Sequence, residues 1–128
     1  MGFRVTREHF EGLVEKAVGA LPREYREHFT NIAVVVKDYP DKEDKERSGA
    51  GDGLLLGLFD GVPYHGKGGF FEILPSFPDR ITLFQRNIEE FCANEEELIE
   101  EIQATIVHEV GHYFGLSEED LGEYEDDL

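Results

Sequence analysis

The chain has 128 residues, enough for one modest hydrophobic core, and is expected to form a single domain over 1–128. Apolar residues make up 40%, yet no apolar run nears the roughly 20 residues that a membrane-spanning helix needs. A formal net charge of −17 argues against binding nucleic acid, because phosphate backbones are held through Lys and Arg. The single cysteine, Cys92, permits no internal disulfide. The opening stretch MGFRVTREHF lacks the apolar stretch of a secretory signal, so the expected compartment is the cytoplasm.

Thr6 is placed to cap a first helix, along which Phe10, Leu13, Val14, Ala17, Val18 and Leu21 recur at steps of three and four. Pro22 interrupts it, and PREYREHF predicts another short helical piece. IAVVVKDYP, residues 32–40, is a β-branched run ended by a proline and predicts a buried strand. DKEDKERSGAGDG, residues 41–53, is charged and then glycine-rich, and predicts a surface loop. LLLGLFDGVPY, residues 54–64, predicts a second strand interrupted at Gly57 and leaving by a turn at Asp60-Gly61. HGKGGFFEILPSFP, residues 65–78, mixes glycines with Phe70, Phe71, Ile73 and Leu74, and RITLFQRNI, residues 80–88, predicts a third strand. Asn94 then opens the best-signalled element. Asn94 and Glu97 have capping-box spacing, and Glu95, Glu96 and Glu97 favour the positive end of a helix dipole. This helix is expected to run to about Phe114, where Gly115 suits a left-handed C′ position. No repeat or linker divides the chain, and from about residue 118 it becomes an acidic tail.

HEVGHYFGLSEED, residues 108–120, lies across the end of that helix. At 100° per residue, Ile99, Ile102, Ile106, Val110 and Tyr113 share the core-facing arc. His108 and His112 lie one turn apart on a different arc, with Glu101 and Thr105 above them, at the edge of the buried face. Two imidazoles so spaced suit one Zn²⁺, with Glu109 kept off the metal as general base on a metal-activated water. Chance placement of the chain's histidines and glutamates gives His-Glu-x-x-His only about 0.03 times. Glu118 occupies the third-ligand position of the extended zincin pattern HExxHxxGxx(H/D/E), with Asp120, Glu119 and His65 as alternatives. The donor set suits zinc, and also iron, cobalt or nickel. Met1 is the only methionine, so the chain lacks the methionine turn of a metzincin.

GLLLGLFDGVPY, PDRITLFQRNIEEF and TIVHEVGHYFGLSEEDL, in that order, resemble the minimal zincin family of small bacterial zinc metallopeptidases. The resemblance extends from the first helix to about Leu121. It implies an α/β fold of the α+β kind, a small mixed sheet packed against a long active-site helix and an N-terminal helix. It also implies zinc at His108, His112 and an acid at Glu118, with Glu109 catalytic. YHGKGGFFEILPSF departs from the family pattern, so the resemblance implies nothing about substrate there. The leading expectation is a zinc-dependent peptidase acting on a peptide or small protein, without nucleic-acid or membrane partners. The alternative is a non-catalytic metal-binding or interaction module on the same scaffold, because 128 residues leave little chain for a lower cleft wall. Its acidic surface would then recruit a basic partner protein. A metal-dependent endoribonuclease fits poorly, since its motif has three histidines and no glutamate beside the first.

Overall fold

The computed structural model describes residues 2–26, 32–48, 54–60 and 79–113, apart from the side chains of Glu24, Asp79, His112 and Tyr113. In chain order the elements are helices α1 (Arg7–Gly19) and α2 (Arg23–Arg26), strand β1 (Ile32–Lys37), helix α3 (Lys42–Ser48), strands β2 (Gly57–Asp60) and β3 (Asp79–Phe84), and helices α4 (Gln85–Glu89) and α5 (Glu95–Tyr113). The strands form a mixed sheet in the order β1-β3-β2, with β1 parallel and β2 antiparallel to β3. The fold is therefore α+β, as expected. None of the helices described is long and apolar enough to cross a membrane.

The central strand carries the densest burial. Ile81, Leu83 and Phe84 are wholly inaccessible, and Thr82 nearly so. Register sets Val34 beside Ile81 and Val36 beside Leu83, while Phe59 of β2 meets Ile81 from the other side. β1 was expected to be buried, but only alternate residues turn inward and Val35 is 38% exposed. That alternation follows from its place at the end of the described sheet, with one face on the core.

α1 starts where predicted. The Thr6 hydroxyl accepts a hydrogen bond from the His9 N–H, and Phe10, Leu13, Val14 and Ala17 enter the core. They meet Leu98, Ile102, Ile106 and Val110 of α5, which packs on α1, β2 and β3. The Gln103 amide ties the two helices further by donating to the Ala17 carbonyl.

Three expected elements need correction. Residues 54–64 were expected to be a strand interrupted at Gly57, but β2 opens at Gly57, residues 54–56 are not part of it, and 61–64 lie outside the described residues. Residues 41–53 were expected to be a loop, but 42–48 are helical. Asp41 accepts from the Asp44 N–H and Asp44 accepts from the Asp41 N–H, a reciprocal box that starts α3. Residues 80–88 were expected to be one strand, but it ends at Phe84 and α4 follows. The reason is Gln85, a wholly buried polar side chain whose amide donates to the Val5 carbonyl and to Glu89. The Glu89 carboxylate also accepts from the Val5 N–H and from Arg86. A buried charge held by that many donors is compatible with the core and fixes the segment before α1 onto α4.

Candidate metal centre

α5 decides where the motif points. Its start is capped as predicted, with the Asn94 side chain accepting from the Glu97 N–H. The Glu97 carboxylate reaches back one residue further than a standard capping box, to the Ala93 N–H. Leu98, Ile102, Ile106, Val107 and Val110 are buried and lock the helix in rotation. The predicted arc is thereby extended by Leu98 and Val107, while Ile99 is only partly buried. The Tyr113 side chain, the last member of that arc, lies outside the described residues.

With that face fixed, His108 and Glu109 stand half-buried at its edge, as the phase of the motif requires. Both line a cleft of about 450 Å³ between α5 and residues 54–57. Glu101, Ala104 and Thr105 continue the helical wall, and Leu54, Leu55, Leu56 and Gly57 form the facing one. The run LLLGLFD was expected to offer an edge strand to an extended substrate, and its first four residues do line the cleft. Gly57 is a further signal, since a glycine in a strand pattern often marks close backbone approach.

Of the expected site residues, the structure brings His108 and Glu109 to one cleft. The helix continues unbroken through Tyr113, so the backbone of His112 follows one turn after His108. The side chain of His112, together with Glu118, Glu119, Asp120 and His65, lies outside the described residues. So do Tyr64 and Tyr124, which with His65 and Tyr113 are candidates to stabilise an oxyanion. Among the described residues no three His, Cys, Asp or Glu side chains group to hold a metal. The donor chemistry nevertheless fits zinc: a half-buried imidazole and a second histidine at i+4 of the same helix, with the Glu109 carboxylate beside the first as a base and not a donor.

Among the described residues, His9 with Glu95, and Cys92, also have metal-binding or nucleophilic chemistry. His9 and Glu95 pair at 2.6 Å on the outer surface, a tie between α1 and the start of α5. Cys92 is buried and its Sγ–H lies 3.4 Å from the Ile88 carbonyl. Burial first, and then the negative charges of Glu101, Glu97 and Glu89, push its thiol up to about 11. It is therefore protonated at neutral pH and serves as a packing residue rather than a nucleophile.

No curated protein matches the chain. A family model described as Zincin-like metallopeptidase matches residues 29–128, a span that takes in the whole sheet, α5 and the histidine motif, and the chain belongs to that family.

Proposed function

We propose that this chain is a zinc-dependent peptidase, with the metal held by His108, His112 and Glu118. Asp120, Glu119 and His65 remain the alternatives for the third donor. The observation that carries the reading is the placement of His108 and Glu109 in one cleft, on a helix that runs unbroken past residue 112. A zinc held by these residues would supply Lewis-acid polarisation of the scissile carbonyl and would lower the pKa of the attacking water towards about 7. Glu109 would act as general base, accepting a proton from the attacking water and passing it to the leaving amine. β2 pairs with β3 along one side and, among the described residues, with no strand along the other. An extended peptide is proposed to add there as a further strand, its main chain held by hydrogen bonds beside the cleft. The proposed setting is the cytoplasm.

The test is Glu109→Gln, which keeps size and hydrogen-bonding shape but removes the basic carboxylate. Zinc content should stay near that of the natural chain while hydrolysis of a peptide library falls by about 10²–10⁴. His108→Ala should lose metal and activity together. Hydrolysis that survives Glu109→Gln rules out the mechanism. Full zinc loading with no hydrolysis of any peptide moves the reading to a metal-binding module.

A further inference from the structure

Strand pairing alone does not account for the wall that faces His108 and Glu109. β2 begins at Gly57, and its ladder with β3 reaches one bond further, from the Phe84 N–H to the Leu56 carbonyl at 2.9 Å. β3 ends there, because the chain turns into α4 at Gln85. Leu54 and Leu55 line the cleft beyond the reach of that ladder. Burial does not hold Leu54 as it holds Leu56: Leu56 packs against the core, whereas Leu54 is 56% exposed. α4 supplies what the strand no longer can. Asn87, only 7% exposed, donates from its side-chain Nδ2 to the Leu55 carbonyl at 2.8 Å.

We infer that Asn87 is a positioning residue for the cleft: it stands in for a strand and fixes the far end of the leucine wall against which a bound peptide lies. That the peptide is a substrate rests on the peptidase reading, but the role itself needs only a peptide in the cleft. The post that carries Asn87 is rigid. Its neighbour Ile88 is wholly inaccessible within the core, and Gln85 and Glu89 of the same helix are tied to Val5. At the near end the wall is fixed by contact, since Gly57 stands against Thr105 of α5. The wall is thus held at both ends, by packing at Gly57 and by a side-chain hydrogen bond at Leu55.

A wall without the Asn87 bond samples positions in which the peptide does not fit, and apparent affinity falls with the fraction of time spent in the fitting one. The net worth of one amide–carbonyl hydrogen bond corresponds to about a fivefold change in such an equilibrium. Asn87 bonds to the wall and not to the helix that carries the histidines. Its loss is therefore a loss of uniform binding, which raises KM and keeps kcat.

The experiment uses the full, zinc-loaded chain. In the Glu109→Gln background, which reads binding without cleavage, fluorescence anisotropy gives the Kd of dye-labelled, end-blocked Ala/Leu hexapeptides. Asn87→Ala removes the donor, and Asn87→Leu removes it while keeping a side chain in the same space. Each is expected to weaken peptide binding about fivefold and to leave zinc affinity unchanged. With Glu109 in place, on the best-cleaved member of a peptide library, the same changes should raise KM about fivefold and keep kcat within about twofold. The control is Gln103→Ala, which also removes an amide donor from a backbone carbonyl, that of Ala17, but at the contact between α1 and α5. It should lower the melting temperature and leave peptide affinity in place, which separates general loss of stability from loss of the wall. Peptide affinity that both Asn87 variants leave unchanged overturns the role. So does absence of peptide binding, an equal loss in Gln103→Ala, or a loss confined to kcat. If the natural chain cleaves nothing yet peptide affinity depends on Asn87, the peptidase reading falls and the positioning role stands. If it cleaves peptides with a KM indifferent to Asn87, the positioning role falls and the peptidase reading stands.

Discussion

Asp44 is a small-scale case of charge that is stabilising because of where it is held. Its side chain is almost inaccessible, yet it is an anion in a strongly acidic protein. Burial acts to raise its pKa. The Lys37 ammonium at 2.7 Å, the Asp41 N–H and the Arg47 guanidinium together outweigh burial and hold it at about 2, below the ordinary 3.8. The folded value lies below the unfolded one, so the carboxylate contributes stability above about pH 4, and that contribution is lost as pH falls towards about 2. A shift of this size corresponds to about 2 kcal/mol. Asp44→Asn is therefore expected to lower the free energy of unfolding by about 2 kcal/mol near neutral pH. Its deficit against the natural chain should close as pH falls from about 4 to about 2. Urea melts of both proteins across that range measure it, and comparing the two cancels the titration of the other carboxylates. A deficit that stays constant across the range would mean that the charged form of Asp44 is not the source.

Between elements, a close approach lies where β2 meets α5. A Cβ built on Gly57 would stand 2.8 Å from the Thr105 Cγ2 and 3.4 Å from the Thr82 carbonyl oxygen. Thr105 cannot simply turn away, because its Oγ1 donates to the Glu101 carbonyl one turn back and fixes the rotamer. Gly57→Ala should thus cost about 1–3 kcal/mol by forcing strand and helix apart. Thr105→Ser deletes the obstructing methyl and keeps the hydroxyl, so the double variant should recover most of the loss in a thermal melt. Failure of that rescue would show that the methyl contact is not the cause. The same junction marks how far the sequence could be read. Gly57 stood out in the sequence, but it opens β2 instead of interrupting a strand, and the helix it accommodates was not visible, because packing partners distant in the chain leave no local pattern. α5 itself was legible from Asn94, Glu97 and the spacing of its isoleucines, and so was the phase of His108. α3 was hidden because KEDKERS buries only Asp44 and shows no apolar period. α4 was hidden for the opposite reason. RITLFQRNI looks like a continuing strand until Gln85, whose amide finds its partners eighty residues earlier at Val5.

For the molecule as a whole, 29 acidic residues face 12 basic ones, and several of the cations are engaged in cross-links. Arg47 and Arg80 share Asp60, joining α3 to the β2-β3 pair, and Arg7 joins α1 to Asp38 after β1. A dication bound by the folded site adds to this scheme and should raise the melting temperature, since the unfolded chain does not assemble the donors. At free zinc about 100 times its dissociation constant the gain is about 2.7 kcal/mol. For a domain of this size that moves the midpoint by roughly 10 °C. A chain this acidic also attracts divalent cations loosely, and that background has its own signature: magnesium reproduces it and salt screens it. The prediction is a rise with zinc over chelator that persists at physiological salt, is not matched by magnesium, and disappears in His108→Ala. Equal midpoints with zinc and chelator would mean that the fold presents no zinc site. A rise that magnesium matches, or that His108→Ala retains, would assign the effect to the acidic surface rather than to the end of α5.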